Sequence, residues 1–455
     1  FVPNTFAQNP LAPPGFGTNK DDRGRNLGLG LTSVFHPTLI NDFRFGYAYF
    51  FGTKSSENIN SNFLQDLGIT RAPGATNRGI PAINVPGYAD MGDSDIFQPF
   101  IRRNHTFQFS DNLVWVKGRH TLKFGADLRR LRLFYLVEDF GQGIFSFSDG
   151  FGSVSGNAFA DFLLGRPFLS FAQAGNSGGN DRLNYFGAYF SDEFRVNRRL
   201  TLTYGLRQEF FTPPTNADGR ASILDPTNAM RFIIRNERGQ AASLLSDPLV
   251  QNLQQNFGIE FMTSQEAGLP PSLLLPDWAG WAPRLGFAYD LTGKNSTTLR
   301  GGFGVFNSLG ELDYAAETRL SAPITEFLFG LDLCRFYGPS ACGQPWAPAQ
   351  LSYDLAYQLG NAPPAAVSSP PFIRNGYAYE WTLSLERLLT PTTALSISYA
   401  GTAAHKLPRR ALQNQGVPNV PGERRGYHPQ PGTHQFVRAT DVNYHYNAMI
   451  VRLAL

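Results

Sequence analysis

Apolar and polar residues alternate with period two along most of the chain, the spacing that sends successive side chains to opposite faces of a β-strand. Between Leu200 and Phe210, the residues Leu200, Leu202, Tyr204, Leu206 and Phe210 share one face, and Thr201, Thr203, Gly205, Arg207 and Glu209 share the other. On a helix the same residues would mix on every side. Between Phe43 and Phe51 every odd position is aromatic, while Asp42, Arg44, Gly46 and Ala48 take even ones. Comparable alternation predicts strands near 27–35, 105–116, 121–135, 185–196, 284–291, 297–306, 379–389, 394–402 and 446–453, with weaker ones at 144–148, 169–174 and 324–329. The total is about 12 to 15 strands, many reaching the roughly 9–11 residues that a tilted strand needs to cross a membrane.

The connections divide into two kinds. Tight turns are predicted at His36-Pro37-Thr38-Leu39, Lys117-Gly118-Arg119-His120, Asn197-Arg198-Arg199, Gly293-Lys294-Asn295 and Thr390-Pro391-Thr392. Between these hairpins lie long Pro/Gly/Asn-rich segments at 53–102, 212–280, 308–375 and 403–443. Short turns at one end and long loops at the other match a transmembrane barrel with periplasmic turns and extracellular loops. A compact soluble domain seldom carries structureless loops of that length. Alternation itself is blind to inside-out reversal, so a soluble sandwich with its apolar face inward is the competing architecture. Strand length, loop asymmetry and aromatic residues near strand ends favour the all-β, antiparallel, transmembrane barrel.

Energy then assigns the faces. A guanidinium or ammonium at mid-bilayer costs roughly 2–4 kcal/mol. Arg44, Lys123, Asp127, Arg129, Arg207, Arg284 and Asp290 are therefore expected to face the lumen, with Leu202, Tyr204, Leu206, Phe43, Phe45 and Tyr47 facing lipid. Two related hairpin segments, Phe109-Ser110-Asp111-Asn112-Leu113 and Phe190-Ser191-Asp192-Glu193-Phe194, put Asp111 and Asp192 on the apolar face, near the turns, where headgroup level makes a charge cheap.

Composition agrees with this picture. Charged residues are only 16% and aromatics 14%, with 46 Gly and 32 Pro, a turn-rich profile unlike that of a helical bundle. A net charge of +3 with dispersed Arg residues argues against nucleic acid as a partner. No apolar run approaches the roughly 18 residues of a transmembrane helix, so a membrane location requires a barrel. Phe1 and Leu455 both read as internal positions, from which further chain at both ends is expected. Cys334 and Cys342, close together in a Gly/Pro-bearing loop, are a candidate disulfide, with two unreactive thiols as the alternative.

Several stretches resemble the barrel of TonB-dependent receptors, in particular the Oar-like branch. They run in order from Gly156-Asn157-Ala158-Phe159-Ala160-Asp161-Phe162-Leu163-Leu164-Gly165-Arg166-Pro167 through Leu200–Arg207, Trp281–Asp290 and Leu299–Phe306 to Leu395–Thr402 and Tyr446-Asn447-Ala448. The resemblance implies a barrel of about 22 strands, a plug domain upstream and a TonB-contacting segment before it. Residues 1–455 are then the barrel portion alone. It also implies energised uptake of an unidentified bulky solute in the outer membrane, through a TonB complex reached by the plug. A surface-interaction or structural protein without transport is the alternative, and a passive porin fits the loop lengths poorly. No phosphate loop, nucleophile elbow or metal-binding cysteine pair is present, and no cofactor, metal or catalytic residue is assigned. His428, His434 and His445 form the one near cluster and read as ordinary loop histidines. The pairs Glu380/Glu386 and Asp192/Glu193 read as lumen or rim charges, not as acid/base partners.

Overall fold

The computed structural model describes residues 16–66, 68–69, 79–93, 97–139, 141–150, 152–237, 239–294, 296–308, 316–331, 366–372, 374–412, 415–416, 424–425 and 435–454. Cys334, Cys342, His428 and His434 lie outside them.

Eleven long strands follow one another through the chain and pair with their sequence neighbours. They are β1 (Thr18–His36), β2 (Leu39–Ser56), β3 (Phe97–Lys117), β4 (His120–Asp139), β5 (Gly179–Arg195), β6 (Leu200–Phe211), β7 (Trp281–Asp290), β8 (Thr297–Asn307), β9 (Tyr377–Thr390), β10 (Thr393–Leu412) and β11 (Gln435–Ala454). Every pairing in this meander is antiparallel. Two short strands, Thr215–Asn216 beside β5 and Ala366–Ser368 beside β11, bring the sheet to thirteen. No pairing joins β1 to β11 among the described residues.

All eleven regions of strong alternation are long strands, and the tight turns fall at the predicted hairpins. The strands outrun the alternation. The segments expected as loops at 53–102 and 403–443 begin and end as paired strand, because β2, β3, β10 and β11 keep their ladders where the pattern has already blurred. In β10, Pro408 lies beside a register shift that includes Lys406 at φ 55, a bulge that accommodates a residue without an N–H. The three weaker segments are strands too, but outside the wall. Ile144–Ser146, Leu169–Gly175 and Thr325–Leu331 join Ala82–Asn84 in a separate four-stranded sheet.

Cross-strand register carries one face through the whole wall. Leu29, Phe43, Phe109, Phe124, Phe190, Leu206, Leu285, Phe303, Leu383, Ile397 and Val451, one from each strand, lie on it and are all exposed. Aromatic side chains meet across it, Phe45 with Phe109 at 5.0 Å, Phe124 with Phe190 at 5.2 Å and Phe186 with Phe210 at 4.9 Å between ring centroids. Such pairs each add about 0.5–1.5 kcal/mol beyond area burial. Asp192 is on this face, as expected, yet it is buried at 2% exposure. Its carboxylate lies 2.6 Å from His120 Nδ1 and accepts the Tyr204 hydroxyl at 2.7 Å.

The long connections pack against the opposite face. Along β5, Asp181, Leu183 and Tyr185 are buried while Arg182 and Phe186 between and beyond them are exposed. The cover has hydrophobic cores of its own. One gathers Ile69, Ile83, Val85, Phe145, Phe147, Ala158 and Ala172, and another Leu224, Phe232, Leu253, Ile259 and Ala322. A sandwich would cover the apolar face, so this arrangement is its inverse.

Arg319 fastens the cover to the wall. Its side chain and that of Asp181 are both fully buried, with Nη1 2.6 Å from Asp181 Oδ1, and its Nε donates to Ser177 O at 2.7 Å. Asn216 Nδ2 donates to the same carboxylate oxygen at 3.1 Å, so three connections converge on one ion pair. Removing one partner of a buried pair costs about 3–5 kcal/mol because the other charge is stranded, whereas an apolar replacement of both can be neutral. Arg319→Met should therefore open the 316–325 segment to limited proteolysis and lower its unfolding temperature. Arg319→Met with Asp181→Leu should regain most of the protection. Equal protection in the single variant and the parent protein would contradict this role.

Candidate polar wall and its cover

The register places Arg44, Lys123, Asp127, Arg129, Arg207, Arg284 and Asp290 on the face opposite the aromatic one. Arg44, Ser110, Asp127, Gly187 and Glu209 form one cross-strand row. Lys123, Ser191, Gly205, Arg284, Gly304, Glu380 and Thr402 form another.

In the centre these side chains make a continuous network. Gln108 Nε2 donates to Asp127 at 3.2 Å, and Arg129 Nη2 binds Asp127 at 2.7 Å. The Arg129 guanidinium stands 5.0 Å from the centroid of the Tyr185 ring. Tyr185 donates its hydroxyl to Glu209 at 2.6 Å and accepts from Arg207 Nη2 at 2.5 Å, while Arg207 Nε donates to Glu209 at 2.8 Å. Asn307 Nδ2 reaches Glu209 at 3.4 Å, so the network runs from β3 to β8. Charge-assisted bonds of this kind are about twice as strong as neutral ones, and here each charged group has a counter-charge or a ring.

Glycine makes room for this network. A Cβ on Gly125 would lie 2.1 Å from the Tyr189 ring and 2.7 Å from Asn112 Oδ1, the atom that accepts the Tyr189 hydroxyl at 2.9 Å. One on Gly187 would lie 2.6 Å from the Tyr185 hydroxyl and 2.8 Å from Arg207 Nη2. Tyrosine rings thus lie flat across the strands over glycine gaps, a close approach that other residues would block.

The remaining candidates are not drawn into the network. Arg44 is exposed and pairs with Asp42 of its own strand at 2.8 Å. Arg284 stands 4.6 Å from the Phe306 ring centroid. Asp290 shapes the turn, its Oδ1 accepting from Thr292 N at 3.1 Å and Gly293 N at 2.9 Å. Glu380 and Glu386 sit six positions apart on one strand and share no site. Sequence reasoning singled out neither Tyr185 nor Arg319. Both bury groups that alternation treats as ordinary, and for Arg319, within a long connection, no periodic signal existed.

The cover also holds titratable groups away from water. Asp93 Oδ2 accepts from Ile80 N at 2.9 Å and Gln142 Nε2 at 2.8 Å, and burial pushes its carboxyl above the usual range despite those bonds. Burial likewise lowers the Arg220 guanidinium, whose Nη1 donates to Asn176 O at 3.2 Å. Asp161 ties the segment before the helix Ala158–Leu163, accepting from Ser153 Oγ at 2.6 Å, Val154 N at 2.8 Å and Ser155 N at 2.9 Å.

A single wall of long antiparallel strands, apolar and exposed on one face, polar and partly covered on the other, is the architecture of an outer-membrane β-barrel protein. The chain belongs to the outer membrane beta barrel domain family, whose pattern matches residues 1–454. It is a protein of the bacterial outer membrane. The outer membrane transporter YddB from Escherichia coli is similar in fold, with a TM-score of 0.52 at 9% identity over 96% of this chain and 39% of that one. The pyoverdine outer membrane receptor FpvA from Pseudomonas aeruginosa PAO1, bound to pyoverdine, gives a TM-score of 0.45 at 9% identity, over 96% of this chain and 42% of that one. The siderophore receptor PirA from Acinetobacter baumannii gives 0.43 at 8%, over 96% and 42%. The chain thus spans well under half the length of these solved structures. Among curated proteins no relative matches the sequence.

The raised Asp93 carboxyl has a signed consequence. A group whose folded value exceeds its unfolded value of about 3.9 contributes stability that is complete below that value and lost as pH rises through the folded one. Loosening of the 79–93 segment with rising pH, followed by limited proteolysis, should therefore be weaker in Asp93→Asn than in the parent. An identical pH profile in both proteins would exclude Asp93 as the cause.

Proposed function

We propose that the chain forms wall and extracellular cover of a receptor for energised uptake of a bulky solute, coupled through TonB, in the Oar-like branch that its segments resemble. In this reading Arg44, Lys123, Asp127, Arg129, Arg207, Arg284 and Asp290 line the lumen, and residues 1–455 are the barrel portion. A plug upstream and further strands complete the protein. The observation that carries it is the polar network drawn from five strands, with a cover fastened over it by Arg319 and Asp181. The fold likeness to an outer-membrane transporter supports transport over catalysis. In the central network each acid is matched by a base, Asp127 by Arg129 and Glu209 by Arg207, an arrangement suited to binding.

One observation favours the second reading, a surface-interaction protein without transport. The connections are consolidated around three hydrophobic cores among the described residues, which suits a fixed docking surface as well as an entrance.

Two measurements separate these. In outer membranes, bimane on Leu206→Cys should be quenched by a lipid-borne nitroxide, while Arg207→Cys should react with a water-soluble maleimide; the reverse pattern would reject the lumen assignment. For cells expressing the whole protein, mass spectrometry of spent medium should show a solute above the porin size limit depleted only while the proton-motive force is intact. Arg207→Ala should slow that depletion several-fold with unchanged amounts of protein in the membrane. Surface binding that persists without depletion would favour the interaction reading.

A further inference from the structure

The apolar face does not stay apolar along its length. Toward the long connections, register aligns Arg25, Tyr49, His105, Arg132 and Arg182 in one row across β1 to β5. The neighbouring rows add Arg130, paired with Phe107, and Arg103, paired with Phe134. All five arginines are exposed. Arg25, Arg130, Arg132 and Arg182 make no ion pair among the described residues, while Arg103 stands 4.4 Å from the centroid of the Phe134 ring. The carboxylates bordering the patch are already engaged, Asp21 by Arg23 at 2.5 Å and Asp218 by Asn180 N at 2.8 Å.

This arrangement opposes folding unless something outside the chain compensates it. Arg132 and Arg182 sit directly opposite each other on adjacent strands, where like charges are unfavourable. Their height is informative. Arg130 lies roughly ten residues beyond the tight turn at His120, about 33 Å of strand, or roughly 25 Å along the membrane normal at a tilt of about 40°. That is the height of an outer-membrane apolar band, so the arginines meet the far interface, where a charge is cheap and snorkelling is short. Guanidinium presents paired donors that fit phosphate oxygens in two-point contact. Tyr49, Phe51 and Phe107 beside them supply the amphipathic contact that an interfacial lipid uses.

We propose that this rim binds the phosphate groups of an outer-leaflet lipid, the phosphorylated lipid A headgroup, with Arg130, Arg132 and Arg182 as the central contacts and Arg25 at the margin. The proposal rests on the lipid-facing assignment of the apolar face. Charge complementarity and the rim's position beside the acyl chains select a lipid over a soluble anion.

The test uses the whole protein, purified in uncharged detergent, with bis-phosphorylated lipid A, its dephosphorylated form and inorganic phosphate as probes. Wild type should bind the bis-phosphorylated lipid at least about tenfold more tightly than the dephosphorylated one, and Arg130→Gln/Arg132→Gln/Arg182→Gln should lose about tenfold. The thermal transition of that variant without lipid should be unchanged or raised, since like-charge crowding is relieved. If the triple variant does not fold, Arg132→Gln alone should lose about threefold and Arg132→Lys should recover part of it. Equal binding of the two lipids, full binding by the variants, or equivalent competition by inorganic phosphate would each overturn the proposal. Bimane quenching at Leu206→Cys reads the facing assignment independently. Quenching with no phosphate preference rejects the rim alone, and absence of quenching rejects both.

Discussion

The hydrogen-bonded ladder between neighbouring strands is the constraint on which the rest depends. In hydrocarbon a backbone N–H or C=O has no water to turn to, and each unsatisfied group costs several kcal/mol. Ten successive antiparallel pairings satisfy these groups from β1 to β11. Because the side-chain period is two, each pairing also fixes which residues share a face, and a slip of one residue would exchange the two faces entirely. The wall therefore has a single aromatic surface and a single polar one, although no two strands share a sequence.

Given that ladder, the polar face solves a second problem. Charged groups placed there lose part of their hydration beneath the cover, so they are held in mutual contact. Tyr185 is the hub, since its hydroxyl serves Arg207 and Glu209 while its ring faces Arg129. Glycine at Gly125 and Gly187 gives the tyrosine rings their space. The cover is bound by a different logic, with small apolar cores joined by the buried Arg319–Asp181 pair. A buried ion pair contributes little net stability but is costly to break, which suits it to fix one arrangement of several connections.

The sequence by itself determined the strands of the wall, their tight turns and the division of side chains between faces. These follow from local periodicity: Leu202, Tyr204 and Leu206 alternate with Thr203, Gly205 and Arg207 whatever lies next to them. Only the tertiary structure decided which polar residues meet. Tyr185 and Glu209, or Arg319 and Asp181, are partners across 24 and 138 positions, and no local pattern encodes such a pairing. It also decided that the strands at Ile144–Ser146, Leu169–Gly175 and Thr325–Leu331 leave the wall for a sheet of their own, because alternation reports an amphipathic strand without saying which neighbour will bury it. The basic row on the aromatic side emerged the same way. Arg25, Arg132 and Arg182 are dispersed along the chain, and cross-strand register alone brings them into one line.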